Sequence, residues 1–263
     1  MRFTQAALSF IKTNKDQPFF LYWPTTIPHA GMDVPNDDPS LADYRQAFGK
    51  EKPFRGKGQY VAQSTPNAVR AAMITRMDRD IGKMVALLKE LGIEKNTIIF
   101  FYSDNGPSTE GGTSVDIFDA RGVLRGGPPL GAKHLLYEGG IRVPLIVSWP
   151  GRIKPKTISD VQFALWDFLP TACDLAKTRA AAKIEGISFL PTLLGKPQIK
   201  LHDHLYWEWV LFGDQRAIRK GWKLITFGRG LNCRKELYNL KNDIGEHKNL
   251  ASIQPEKVKE LYR

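Results

Sequence analysis

Residues 65–107 read TPNAVRAAMITRMDRDIGKMVALLKELGIEKNTIIFFYSDNGP, and this stretch decides the fold. Thr65-Pro66 opens a helix, with a hydroxyl for the cap and a proline in the first turn. Val69, Met73, Met77, Ile81, Met84, Val85 and Leu88 then form one apolar stripe at helical spacing, ended by Gly92. A methionine stripe of this kind is a packing face, not a cofactor box. Thr97 to Tyr102 (TIIFFY) is short and rich in β-branched and aromatic residues, as a strand buried on both faces is. Ser103-Asp104-Asn105-Gly106 is its exit turn. With a further apolar strand at Val143 to Trp149, strand, long helix and strand make the unit of a parallel α/β sheet.

Upstream, Phe3 to Lys12 has helical spacing, with Phe3, Ala7, Phe10 and Ile11 sharing a face. Pro18 precedes an apolar run, Phe19 to Trp23, short and aromatic enough for a buried strand. Residues 24–64 are rich in Pro, Gly and Asp without a sustained period, and a loop that long in a compact domain carries function. Downstream, Asp160 to Lys177 is a further helical segment. Past residue 200 the texture changes to short strands, Leu205 to Trp209, Arg216 to Arg219 and Lys223 to Thr226. The expected architecture is an α/β domain over 1–200, with a central, mostly parallel sheet flanked by helices, and a small α+β subdomain with an antiparallel sheet over 201–263.

Composition narrows the function classes. Hydrophobic residues at 42% and charged residues at 25% describe a globular protein, and no apolar run is long enough to cross a bilayer. Cys173 and Cys233 make neither a disulfide framework nor a multi-thiolate metal site. The formal charge of +11 suits a polyanionic partner or a solvated basic surface. No compact basic run with interleaved aromatics appears, so no nucleic-acid partner is expected.

In open α/β sheets ligands sit outside the carboxyl ends of the strands, and three segments put polar groups there. Pro28-His29 follows the run ending at Trp23, Asp104-Asn105 follows the strand ending at Tyr102, and Lys133 lies in the Gly-rich stretch 126–140. Asp104 and Asn105 are hard oxygen ligands suited to Ca2+ or Mg2+. A histidine and a lysine nearby handle a proton and hold an anion. Each element alone is common: Asp-Asn-Gly is a frequent turn, and a lone His or Lys is usually solvated or structural. Together they describe cleavage of an anionic ester beside a metal ion.

Five segments resemble the sulfatase (arylsulfatase) family of the alkaline phosphatase-like superfamily. They are PFFLYWPTTIPHA at 18–30, ITRMDRDIGKMVALLKELGIEKNTIIFFYSDNGP at 74–107, KHLLYEGGIRVPLIVSWPGRI at 133–153, DFLPTACDLA at 167–176 and ELYNLKNDIGEHKNLA at 236–251. The resemblance implies a sulfuric ester hydrolase with Asp104 and Asn105 as ligands of a divalent metal, usually calcium. It implies that His29 assists departure of the leaving group and that Lys133 contacts the sulfate. Gly139 and Gly140 are implied as backbone requirements and Arg142 as a buttress of the loop. Two positions depart from the pattern. His134 stands where a small residue is commoner and reads as a neutral substitution rather than a substrate contact. Gly31 stands where many relatives carry proline.

The family's nucleophile is a formylglycine made from a Cys/Ser-x-Pro-x-Arg motif, and an aspartate pair near the amino terminus completes its metal site. Neither cysteine fits the motif. Ser64-Thr65-Pro66-Asn67-Ala68 lacks the arginine, and Ser148-Trp149-Pro150-Gly151-Arg152 satisfies the bare pattern only at a strand end. The expectation is therefore an N-terminally truncated member, with formylglycine and the aspartate pair ahead of Met1 and little or no activity in the fragment. The implied substrates are sulfated small molecules or sulfated glycans, handled in the periplasm or outside the cell, with Trp207, Trp209 and Phe212 able to stack on a sugar. The alternatives are a phosphodiesterase or phosphonate hydrolase of the same superfamily, and a noncatalytic polyanion-binding remnant.

Overall fold

The structure, a computed structural model, describes residues 2–114, 133–180, 183–211, 215–230 and 232–262. These fall into two compact units, one built from residues up to Ile98 with the segment from Ser108, the other from Ile99–Pro107 and the chain from 133 onward. Phe212 lies outside the described residues, as does the 126–132 part of the Gly-rich stretch. No described helix is long and apolar enough to cross a membrane.

Among the described residues the first unit holds three α-helices, α1 (Arg2–Asn14), α2 (Pro39–Phe48) and α3 (Pro66–Glu90). On α3 the apolar stripe is buried at Val69, Met73 and Leu88, joined by Ala68, Ala72 and Leu87, while Val85 faces solvent. Met32, Val34 and Leu41 complete this core. The helix start differs from the expected one. Thr65 makes no side-chain cap; both oxygens of Glu51 accept instead, from the backbone N–H groups of Asn67 (2.6 Å) and Ala68 (3.0 Å). On α1 the buried face is Thr4, Ala7 and Ile11, with Thr4 Oγ1 donating to Asp80 Oδ2 at 2.8 Å. Phe3 stays exposed, because a hydrogen-bonded Thr4 takes the place on that face the sequence pattern gave to the larger ring.

Helix α2 lies inside the stretch expected to be loop. Asp38 caps it, accepting from Ser40 N (3.1 Å) and Ser40 Oγ (2.6 Å), with Pro39 in the first turn. Phe19 to Trp23 forms no strand. It alternates exposed and half-buried side chains as a strand does, but no ladder partner pairs with it among the described residues.

In the second unit β1 (Ile99–Tyr102) pairs with β2 (Leu145–Ser148) in antiparallel register, Ile99 opposite Ser148 and Tyr102 opposite Leu145. One antiparallel pair is an ordinary component of a mostly parallel α/β sheet. β1 is half-buried rather than covered on both faces, and Ile146 of β2 is exposed. Phe100 packs edge-on against Phe168 (5.3 Å) of α5 (Phe168–Leu175) and against Phe189 (6.3 Å). Asp160 to Ala164 is not helical, since the Asp167 carboxylate accepts from Ala164 N and Ile187 N and so fixes a turn ahead of α5.

The carboxy-terminal part is an antiparallel meander, β3 (Leu205–Trp209), β4 (Gln215–Lys220), β5 (Trp222–Phe227) and β6 (Arg234–Asn239), paired in that order. Helix α6 (Pro255–Tyr262) lays Leu261 on Leu224 and Leu237. The opposite face packs Ala217, Ile225 and Tyr238 against Leu136 and Tyr137. Strand β5 is therefore covered on both sides, which explains four consecutive buried residues from Lys223 to Thr226.

Candidate functional site

The site is built where β1 ends. Ser103 Oγ donates to the carbonyl of Asn105 (2.8 Å), and Asn105 Nδ2 donates to the carbonyl of Gly106 (2.8 Å). The amide nitrogen of Asn105 is thus engaged, which leaves Oδ1 as the group able to accept or coordinate. Asp104 is exposed. Gly106 N donates to Gly140 O at 2.9 Å, docking the turn on α4 (Glu138–Ile141). Lys133 N donates to Pro107 O at 2.8 Å, so the lysine is tied to the same turn.

Asp104, Asn105 and Lys133 line one cavity of about 440 Å³, together with His134, Trp166, Trp207 and Trp209. His29 belongs to the first unit. There it is exposed, its N–H donates to Thr26 O (2.8 Å), Nδ1 lies 2.9 Å from Ala30 O, and its ring stands 6.4 Å from that of Tyr60. The preceding Pro28 carbonyl accepts from buried Arg70 Nη1 (2.5 Å), whose Nη2 donates to Glu110 O (3.1 Å). Burial pulls the Arg70 guanidinium below its usual range. Gly31 sits at φ +95°, a left-handed backbone that proline cannot adopt.

Behind α4 lies a charge cluster that the sequence reading missed. Fully buried Lys223 reaches Glu138 Oε1 (3.2 Å) and Glu246 Oε1 (2.9 Å), and Glu246 Oε2 accepts from Glu138 N (2.5 Å). Burial pushes the Glu246 carboxyl up, against the pull of Lys223. Arg219 (3.4 Å) and Arg142 (3.5 Å) both approach Glu138 Oε2, Arg142 being the more exposed of the two. Tyr137 and Tyr238 both donate to Glu236 Oε2 (2.7 and 2.8 Å). Burial and this carboxylate hold both phenols far above their usual range. One signal was available: a lysine inside the apolar run Lys223 to Phe227, on the parity of buried Ile225.

Chemically, Asp104 and Asn105 fit part of a hard-cation shell. The two oxygens fall short of the about six to eight that calcium takes. Among the described residues no group of three or more His, Cys, Asp or Glu could hold a metal ion. Ser148 is the last residue of β2, opposite Ile99, and Trp149 to Arg152 turn back with Arg152 N donating to Trp149 O (3.0 Å).

Comparison with known proteins adds family and fold. The sulfatase family profile matches residues 1–178, and that for the carboxy-terminal part of N-sulphoglucosamine sulphohydrolase matches 130–262. The mouse N-acetylgalactosamine-6-sulfatase is 35% identical over 201 residues, 73% of this chain and 32% of that protein. The N-acetylgalactosamine-6-O-sulfatase of Bacteroides thetaiotaomicron is 30% identical over 277 residues, 98% of this chain and 48% of that protein. The chain thus spans about half or less of these two relatives. A solved structure reported with the metabolism of multiple glycosaminoglycans by Bacteroides thetaiotaomicron superposes with TM-score 0.74 at 28% identity, covering 98% of this chain and 52% of the other. The phosphonate monoester hydrolase of Silicibacter pomeroyi superposes with TM-score 0.72 at 18% identity, covering 99% and 57%, a likeness of fold alone. A profile match over 178 of 263 residues and relatives at 30% and 35% identity place this chain in the sulfatase family, with the alkaline phosphatase-like fold.

Proposed function

We propose that the protein of which this chain is part hydrolyses sulfate esters carried on a sugar or another small molecule. The observation that carries the reading is the meeting of Asp104, Asn105 and Lys133 on one cavity, in a chain of the sulfatase family. Asp104 and Asn105 Oδ1 hold a divalent cation, calcium or magnesium. That ion, when bound, supplies positive charge to the ester oxygens. Lys133 holds the sulfate by its ammonium. His29 gives a proton to the departing alcohol oxygen. The remaining metal ligands and the nucleophile come from outside the described residues. Relatives named for 6-sulfated N-acetylgalactosamine support a sulfated sugar as substrate. We further infer, from the family resemblance, that it works outside the cell or in the periplasm, and, from the change to short strands, that an α/β domain reaches about residue 200 with a small subdomain after it.

Turnover tests this reading in a protein containing the chain in its complete reading frame. Calcium-dependent release of sulfate from an aryl sulfate, faster than cleavage of the matching aryl phosphonate, is expected, with loss of at least about a hundredfold in Lys133→Ala. Preference for the phosphonate supports the superfamily alternative. Salt-sensitive binding of polyanions without metal-dependent turnover supports the noncatalytic one.

A further inference from the structure

His134 lines the same cavity and has no part in the metal and anion roles. Its backbone is at φ +77°, a left-handed conformation that glycine takes without steric cost and a residue with a Cβ does not. Gln215, buried, clasps the turn: its Nε2 donates to His134 O and its Oε1 accepts from Leu136 N, both at 3.4 Å. The imidazole lies 5.6 Å from the Trp209 ring, tilted by 34°. Trp207 and Glu208 of the same strand also line the cavity, with Glu208 paired to Arg216 at 2.9 Å.

A glycine at 134 would relieve the backbone, so the histidine is kept at a cost in stability. Strain of this kind marks a side chain with work to do. The geometry points to His134 as a specificity-determining contact that reads a hydroxyl of a sulfated pyranose. An indole face takes the C–H face of a sugar ring, and a neighbouring imidazole nitrogen exchanges a hydrogen bond with one of its hydroxyls. His134 directly follows Lys133 and lines the same cavity, beside the place proposed for the sulfate. The inference rests on the sulfate role proposed for Lys133.

The test uses a protein containing the chain in its complete reading frame and titrates inorganic sulfate, 4-nitrophenyl sulfate and a 6-sulfated hexosamine by calorimetry. His134→Gly is expected to raise the melting temperature and leave both inorganic and aryl sulfate affinities unchanged. It is expected to weaken the sulfated hexosamine about tenfold, one hydrogen bond's worth. Trp209→Phe, which keeps an aromatic platform, is expected to retain most of that affinity. Equal binding of the sulfated hexosamine by parent and His134→Gly overturns the inference. So does a parallel loss of inorganic sulfate, which would place His134 in the anion site itself. A parent chain that binds no sulfate overturns the reading of Lys133, and this inference with it.

Discussion

A Cβ built on Gly106 would stand 1.8 Å from the carbonyl oxygen of Gly139, far inside van der Waals contact. The absent side chain lets the turn bearing Asp104 and Asn105 rest on α4. Gly106→Ala is therefore expected to cost about 3 kcal/mol, since the obstacle is backbone and cannot rotate away. Chemical denaturation measures it. Gly82→Ala is the control: it is helical in α3, a new Cβ meets nothing within 4 Å, and it should stabilise by about 0.5–1 kcal/mol.

Lys223 neutralises two buried carboxylates. Among the described residues, Lys223→Met leaves Glu246 without a cation and Glu138 with Arg219 and Arg142 alone, at an expected cost of about 3–5 kcal/mol. Adding Glu246→Gln removes the orphaned charge and should recover a large part of it. Equilibrium unfolding of the single and double variants decides, and a harmless Lys223→Met would contradict the role given to the cluster.

Glu51 caps α3 from fifteen residues upstream of its start. Glu51→Ala is expected to cost about 0.5–2 kcal/mol, the range for a lost cap, whereas Thr65→Ala, at the residue with no side-chain cap, should cost less. The reverse order in thermal melts would restore the cap read from the sequence.

Stability of the first unit should fall in acid. Burial alone would raise the Asp80 carboxyl, but hydrogen bonds from Lys83 and Thr4 outweigh it and hold it below its usual range. Asp38 is likewise lowered, its burial outweighed by Ser40 and Arg79. A carboxyl depressed on folding binds fewer protons folded than unfolded, so its stabilisation is present above the unperturbed value of 3.8 and lost as pH falls through the folded one. Asp80→Asn should flatten the acid limb of a melting-temperature profile while lowering the plateau at neutral pH.

Much of this was legible because the chain says the same thing at several scales. Pro66 to Glu90 announced itself by its stripe, and β3 was read with its observed bounds, Leu205–Trp209, from short β-rich texture. The misses have physical causes. Helix α2 has ten residues with a weak apolar face and is set by its Asp38 cap, which a Pro- and Gly-rich neighbourhood obscured. β6 buries Leu237 and Tyr238 in succession, so no alternation marks it. At the site, the turn and lysine could be named from the family pattern, and the structure brings Asp104, Asn105 and Lys133 to one cavity. Of the Lys223 cluster only the lysine itself left a signal, because its partners are separated by up to 108 residues in sequence.

Under the proposed function, this cavity receives a sulfate group beside Asp104, Asn105 and Lys133. The experiment is to soak crystals of a protein containing the chain in its complete reading frame in selenate and to locate the selenium by anomalous diffraction. A peak is expected within hydrogen-bonding reach of Lys133 Nζ, next to the Asp104-Asn105 turn, and is expected to disappear in Lys133→Ala. Selenate bound elsewhere on the basic surface, with the cavity empty, would contradict it.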